Sequence, residues 1–259
     1  MRGVEIDEDM AGEGRGWRRW AAVVGSLLYP EVCEICGEER ATAREGYVCG
    51  KCRSAPGNVV TVAPPFCDRC GLPFEGEITA AFVCSNCAGM DLGFDSARAA
   101  VVATRFLLDV IHRYKYGRAT WLEPFLGRLL VDAAGPCLAE GTWDALVPVP
   151  LHPLRERERE FNQSERLARC LSAATGIPCR GDLVRRRLAT RSQALLDRGQ
   201  RAKNVAHAFA LRRPVRLEGW RVVVVDDVLT TGATAGAVGR VLRQAGVETV
   251  RVWTVARGV

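Results

Sequence analysis

Two adjacent carboxylates precede a loop of small hydroxyl residues in the segment Val222 to Thr234. Backbone N–H groups in such a loop, and at the start of a following helix, can bind a phosphate monoester. Asp226 and Asp227 would repel that phosphate, and they are better suited to accept hydrogen bonds from the vicinal hydroxyls of a sugar. Phosphate and diol together indicate a phosphorylated ribose. The predicted binding residues are Asp226, Asp227, Val228, Leu229, Thr230, Thr231, Gly232, Ala233 and Thr234.

A different chemistry is open to the acidic pair itself. Acids at the end of a strand also serve as phosphoryl acceptors or metal ligands in other α/β folds. That alternative would not require the Thr-Thr-Gly-x-Thr loop, in which glycine lets the backbone approach an anion closely. The loop therefore favours the ribose-phosphate interpretation.

Eight of the eleven cysteines form four Cys-x-x-Cys pairs, separated by 12, 14 and 13 residues. Each pair presents two thiolates on one side of a tight turn, and two pairs complete a tetrahedral site. The pattern predicts two structural zinc ions rather than disulfides, with iron as the alternative metal. Pairing of neighbouring knuckles predicts one site at Cys33, Cys36, Cys49 and Cys52 and a second at Cys67, Cys70, Cys84 and Cys87, whereas interleaved pairing is sterically possible.

The elements that must position these groups belong to an α/β fold. A run of valines before Asp226 indicates a strand buried on both faces, as in a parallel sheet flanked by helices. Strands are predicted over 144–149, 221–225 and 249–255, and helices over 162–174 and 234–244. Residues 31–92, rich in glycine, proline and cysteine, predict a small double zinc-ribbon domain, and residues 93–259 predict the α/β domain. Residues 1–30 read as a tail with a short amphipathic helix over 17–28.

Composition and charge narrow the class of protein. At 259 residues, 48% hydrophobic and 25% charged, the chain has ordinary globular composition. Its apolar stretches are far shorter than the roughly 18 residues that span a bilayer. The N-terminal segment carries acids where an export signal has positive residues, so we expect a cytoplasmic protein. The net charge is about −5 over residues 1–99 and +11 over 100–259. This asymmetry suggests anionic partners, unless it reflects only an arginine-rich composition.

The acid-and-threonine loop resembles the motif of type I phosphoribosyltransferases that binds phosphoribosyl pyrophosphate (PRPP). Further motifs resemble those of the ComF family, in the same order. They are Tyr114-Lys115-Tyr116-Gly117-Arg118, Val147 to His152, Phe161-Asn162-Gln163, Gln193-x-x-Leu196, Arg201-x-x-Asn204-Val205 and Ala208-Phe209. Members of this family combine cysteine knuckles with a transferase-like domain and are linked to DNA uptake during natural competence.

The resemblance implies a role for each matching residue. Asp226 and Asp227 would hold the ribose hydroxyls, residues 230–234 the 5′-phosphate, and Mg²⁺ would accompany the pyrophosphate. Lys115, one of three lysines in the chain, is a candidate phosphate or pyrophosphate ligand, with a solvated helix-end lysine as the alternative. The turn at Pro150, Leu151 and His152 is a candidate pyrophosphate loop, or else a rigid strand exit.

Residues 185–203 resemble the flexible catalytic loop of these transferases, and their arginines would cover the leaving pyrophosphate. The candidates are Arg185, Arg186, Arg187, Arg191, Arg198 and Arg201. Family members usually carry glycine where Glu160 stands, which leaves the local turn, and any DNA contact there, open.

Three functions compete at this stage. The first is transfer of phosphoribose from PRPP to an unknown acceptor. The second is a protein of DNA uptake that binds PRPP, contacts single-stranded DNA and docks a helicase-like partner through its ribbon. The third is a catalytically silent interaction module. We expect PRPP binding in the service of DNA uptake, and leave turnover open.

Overall fold

The computed structural model describes residues 31–74, 76, 81–188 and 207–258. The predicted helix over 17–28, and the loop candidates Arg191, Arg198 and Arg201, lie outside these residues. The helices are α1 (Gly50–Ser54), α2 (Arg105–Tyr116), α3 (Glu123–Ala139), α4 (Pro153–Arg159), α5 (Gln163–Thr175) and α6 (Ala233–Gln244). The strands are β1 (Ser96–Val102), β2 (Ala145–Pro148), β3 (Val184–Arg186), β4 (Phe209–Leu211), β5 (Arg221–Leu229) and β6 (Thr249–Arg257).

A four-stranded parallel sheet in the order β1-β6-β5-β2 forms the centre of the molecule. The four valines at 222–225 in β5 are fully buried and alternate between the two faces, as a doubly covered central strand requires. The predicted α/β class and the predicted positions of β2, β5 and β6 are confirmed, whereas β1 was not predicted. Strand β5 is longer than predicted, because Asp226 and Asp227 lie within it and pairing with β6 continues to Leu229.

Each face of the sheet carries its own layer. Helices α2, α3 and α5 cover the face that contains Val223 and Val225. Helix α6 and the antiparallel hairpin β3–β4 cover the face that contains Val222 and Val224. Asn162 caps α5 by accepting a hydrogen bond from the Ser164 N–H at 3.1 Å, in agreement with the predicted helix start.

The cysteine-rich region packs on both faces. Cys52 of the first group contacts the α2/α3/α5 layer. Cys67, Cys70 and Cys87 of the second group are buried in the α6 layer. Between the groups, Thr61 pairs antiparallel with Val101 at the edge strand β1. The boundary near residue 92 stays a prediction. Within the described ranges, no helix is both long and apolar enough to cross a membrane.

Candidate functional site

The acidic pair lies at the carboxyl end of β5, where ligands bind in open parallel sheets. Its two side chains have different partners. Asp226 Oδ1 accepts hydrogen bonds from Ser164 Oγ at 2.7 Å and from the Asp227 N–H at 3.0 Å. Asp227, 4% exposed, forms an ion pair between its Oδ2 and Lys115 Nζ at 2.5 Å. The structure therefore brings three predicted residues, Lys115, Asp226 and Asp227, into one cluster. Ser164, which was not predicted, is the fourth member of this cluster.

Burial and the neighbouring Asp227 carboxylate raise the pKa of Asp226 to about 7, against the opposing effects of Lys115 and Ser164. The pair consequently carries less than two negative charges near neutral pH in the absence of a ligand. A group that donates hydrogen bonds to these carboxylates would favour the ionised form. Sugar hydroxyls are such groups.

Two distant segments form the support for this cluster. Residues 114–118 comprise the last turn of α2 and the two residues after it, and residues 159–164 join α4 to α5. The Tyr114 and Phe161 rings pack with centroids 5.1 Å apart, and the Arg159 guanidinium lies 4.7 Å from the centre of the Tyr116 ring. The two segments thus interlock, and one delivers Lys115 to Asp227 while the other delivers Ser164 to Asp226.

The hydroxyl loop connects β5 to α6. Gly232 caps the helix with φ 77°, a left-handed conformation that favours glycine. Thr231 Oγ1 accepts a hydrogen bond from the Ala233 N–H at 3.3 Å, and Thr230 is exposed. A strand end followed by a glycine turn and a helix N-terminus is suited to bind a phosphate.

Two residues predicted for this loop lie elsewhere. Val228 and Leu229 are inside strand β5, and their side chains pack in the two core layers. Their side chains pack against other apolar side chains on the two faces of the sheet and do not face a ligand. The predicted loop therefore begins at Thr230.

The turn after β2 lies beside the acids because β2 pairs with β5, and the Val149 N–H donates to the Val225 carbonyl at 2.9 Å. Asn162 Nδ2 donates to the Val149 carbonyl at 3.1 Å and ties the turn to the start of α5. Pro150 is buried, Leu151 is half-buried, and His152 caps α4 by accepting from the Leu154 N–H. The turn is rigid and close to the site, which is compatible with both interpretations of its sequence.

The eight cysteines form two separate four-sulfur clusters, and within each cluster the sulfur atoms lie within 4.8 Å of one another. The pairing is sequential, so the interleaved alternative is wrong. The donor set fits zinc, because four thiolates at this spacing form a closed tetrahedral site. Backbone N–H groups add support, since those of Cys49 and Cys84 donate to Cys33 and Cys67 sulfurs at 3.3 Å. Hydrogen bonds from the backbone N–H groups of Glu39 and Glu38 lower the pKa of the Cys36 thiol to about 6.

Family models match both parts of the chain. A double zinc ribbon domain matches residues 24–88, and a phosphoribosyl transferase domain matches residues 136–258. Competence protein F of Haemophilus influenzae is 32% identical over 74% of this chain and 85% of its own length. The chain belongs to the ComF family. The DNA utilization protein YhgH of Escherichia coli is 31% identical over 89% of this chain and 99% of its own length. The competence protein ComFC of Bacillus subtilis is 34% identical over 39% of each chain.

This ComF-family protein departs from the usual glycine at Glu160, and the structure shows why glycine suits that position. Glu160 ends α4 with φ 69°, in the left-handed region. Its partner Arg118 is also left-handed, with φ 53°, and the two side chains form an exposed ion pair at 2.5 Å. The turn is therefore kept, and we attribute some backbone strain to it.

Among the loop arginines of this ComF-family protein, Arg186 is half-buried, whereas Arg185 and Arg187 are exposed. Burial lowers the pKa of Arg186, and attraction to Asp226 acts against that effect. Arg155 and Arg159 repel the same guanidinium and lower its pKa further. Arg186 is therefore within electrostatic reach of Asp226.

Two residues of the site were missed from the sequence. Ser164 directly follows the Phe161-Asn162-Gln163 motif, and that position was the available signal. Arg257, 5% exposed, ends β6 and donates to the Leu229 carbonyl at 3.0 Å and the Thr230 carbonyl at 2.9 Å. A single arginine at the end of a strand carries no signal in an arginine-rich chain.

A cleft of about 410 Å³ opens next to the interlocked segments. It contains none of Lys115, Asp226, Asp227 or the loop 230–234, so we do not assign the ribose phosphate to it. Its lining residues are Glu123, Glu156, Phe161, Asn162, Glu165, Arg166 and Arg169.

Proposed function

We propose that this ComF-family protein binds PRPP together with Mg²⁺ and acts in DNA uptake during natural competence. The observation that carries the proposal is the pair Asp226 and Asp227 at the carboxyl end of β5, directly before a phosphate-binding loop and helix. The names of the relatives, competence protein and DNA utilization protein, support the biological role. Reduced cysteine clusters suit the cytoplasm, which we propose as the location.

The acids and the loop divide the ligand between them. Asp226 Oδ1 is already occupied by two donors, which orients the carboxylate and leaves Oδ2 for a ribose hydroxyl. The 5′-phosphate would accept hydrogen bonds from the backbone of residues 230–234. Carboxylates and pyrophosphate oxygens are the ligands that Mg²⁺ prefers, so the donor set around Asp226 and Asp227 fits this ion. When bound, Mg²⁺ neutralises charge on the pyrophosphate.

Lys115 has two anionic partners available in this proposal. Its ammonium group pairs with Asp227, and both side chains are largely buried. A ribose hydroxyl that donates to Asp227 would compete for that carboxylate, and Lys115 would turn to the pyrophosphate. A point charge on a flexible stem is suited to such an exchange.

The positive charge of Arg186, which attracts Asp226, supports a pyrophosphate position near the acids. If turnover occurs, the bond from C1′ to pyrophosphate breaks, a bond from the acceptor nucleophile to C1′ forms, and pyrophosphate leaves with the electron pair. Electrostatic stabilisation of that leaving group would be the main contribution of the arginines and of Lys115.

Isothermal titration of PRPP with Mg²⁺ into the zinc-loaded protein tests binding. We expect saturable binding that the double variant Asp226→Asn, Asp227→Asn loses, while the control variant Asp182→Asn retains it. Asp182 is exposed and paired with Arg180. Equal binding in all three proteins, or none in the wild type, would contradict the proposal.

Turnover and DNA contact are separate extensions. Pyrophosphate release from PRPP with a panel of nucleobases would establish a transferase, and absence of release with intact PRPP binding would indicate a ligand-regulated adaptor. For DNA, the positive charges of Arg155, Arg159 and Arg186 and the names of the relatives predict that the protein binds single-stranded oligonucleotides. This binding should weaken steeply with salt. A salt-insensitive or absent fluorescence anisotropy signal would exclude direct contact and leave docking of a helicase-like partner through the ribbon.

A further inference from the structure

The buried guanidinium of Arg257 joins two sites that are far apart in the sequence. On one side it donates to the carbonyl oxygen of Cys70 at 3.0 Å and to the sulfur of the same cysteine at 3.5 Å. On the other side it donates to the carbonyls of Leu229 and Thr230, where β5 passes into the hydroxyl loop. We propose that Arg257 is a positioning residue through which zinc at the second cysteine cluster sets the conformation of the phosphate-binding loop.

Charge explains why the metal is needed. Within the described ranges, no carboxylate lies at ion-pair distance from Arg257, although it is 5% exposed. A buried cation without a counter-charge is costly. Four thiolates around Zn²⁺ carry a net charge of −2, so the loaded cluster supplies that counter-charge through the N–H···S contact with Cys70. The Cys70 sulfur is thus both a metal ligand and a hydrogen-bond acceptor of the guanidinium, so zinc fixes the atom on which Arg257 is anchored.

Packing adds a second link between the same two places. Gly71, next to Cys70, lies so close to β1 that a side-chain carbon there would come 2.6 Å from the Ala97 carbonyl oxygen. Phe94, which follows the cluster in the chain, is 3% exposed and packs on the loop, since a side-chain carbon at Gly232 would lie 3.2 Å from its ring. A shift of the second cluster is therefore transmitted to the loop.

The first cluster packs on the other face of the sheet, in the α2/α3/α5 layer, and serves as an internal control. Ile35 and Cys52 contact that layer, and Arg113 Nη1, on the helix that carries Lys115, donates to the Glu34 carbonyl at 2.7 Å. Loss of zinc at the first cluster should leave the phosphate loop unchanged.

The first experiment compares Cys84→Ser with Cys36→Ser by hydrogen exchange, without any ligand. We expect loss of amide protection in residues 229–236 for Cys84→Ser, and protection equal to wild type there for Cys36→Ser. Protection of 163–175 in α5 serves to show that both variants are folded. Equal protection of 229–236 in the two variants would overturn the proposal, whatever the protein binds.

The second experiment tests Arg257 itself, and it rests on the proposed binding of PRPP. Arg257→Gln should weaken PRPP binding about 10-fold or more and weaken zinc retention at the second cluster, because partners of metal ligands commonly have effects of that size. Arg257→Lys keeps the charge but not the fork of donors, and should recover part of the zinc retention. By linkage, PRPP should tighten zinc at the second cluster and not at the first.

The two experiments separate the failure modes. No PRPP binding in the wild type would refute the proposed function and leave the exchange result standing. PRPP binding that is unchanged in folded Arg257→Gln, with wild-type protection of 229–236, would refute the role of Arg257. Chelator competition measures the zinc retention of each variant.

Discussion

Replacing Asp226 by asparagine should stabilise the ligand-free protein at neutral and alkaline pH. The pKa of Asp226 is raised from its ordinary value of 3.8 to about 7. The folded protein therefore holds this proton more tightly than the unfolded chain does. Stability from the protonated carboxyl is fully present below about pH 4 and is lost as pH rises through about 7.

The structure sets the size of this effect. A pKa raised from 3.8 to about 7 corresponds to roughly 4 kcal/mol, at about 1.36 kcal/mol for each pH unit. Asp226 is partly accessible to water, which reduces the effect. We expect Asp226→Asn to be more stable than the wild type by about 1 to 4 kcal/mol at pH 8, and nearly equal to it at pH 4. Asparagine keeps Oδ1 as the acceptor for Ser164 and the Asp227 N–H.

Urea denaturation from pH 4 to pH 8 measures the difference. The control is Asp182→Asn, because the hydrogen bond from Arg180 lowers the pKa of that carboxyl and gives the opposite sign. This control should lose less than about 1 kcal/mol at pH 8, as expected for an exposed pair. An Asp226→Asn variant whose stability relative to wild type does not change with pH would refute the electrostatic reasoning.

Three further predictions follow from contacts of the site. Lys115→Met leaves the buried Asp227 carboxylate without its ion pair and removes a charge that lowers the pKa of Asp226, so that pKa should rise further. We expect the free energy of unfolding to fall by roughly 1 to 3 kcal/mol at pH 8, and unchanged urea midpoints would contradict the pairing. Glu160→Gly relieves a left-handed residue at the cost of an exposed ion pair, and should raise stability by up to about 1 kcal/mol, whereas Glu160→Ala should not; a lower melting temperature for the glycine variant would show that the pair matters more than the strain. Zinc removal by a chelator should release two ions per chain and lower the melting temperature of the whole protein, because Cys67, Cys70 and Cys87 are part of the α6 core layer; release without a thermal shift would contradict that packing.

The sequence predicted the features that depend on local patterns. The valine run of β5, the cap at Asn162 and the glycine turn at Gly232 all lie where periodicity and capping rules place them. The chemistry of the cysteines was readable because each Cys-x-x-Cys pair is itself a local motif. The end of β5 could not be predicted from the sequence, since acids are poor strand formers. The strand continues past them because it pairs with β6, which is distant in the chain.

Contacts between distant segments were beyond sequence reasoning. Lys115 and Asp227 are far apart in the chain, and their ion pair depends on how residues 114–118 pack against residues 159–164. The sequence was likewise compatible with sequential and interleaved pairing of the Cys-x-x-Cys pairs. The structure decides between them because it forms two separate clusters from neighbouring pairs. Arg257 gave no pattern, because a buried arginine is defined by the carbonyl and thiolate groups that surround it.

The most direct test of the account is a crystal structure of the zinc-loaded protein with PRPP and Mg²⁺. We predict the ribose hydroxyls at Asp226 and Asp227, the 5′-phosphate at residues 230–234, and Lys115 moved from Asp227 to the pyrophosphate. PRPP bound in the glutamate-lined cleft beside Phe161, with the Lys115–Asp227 pair intact, would contradict it.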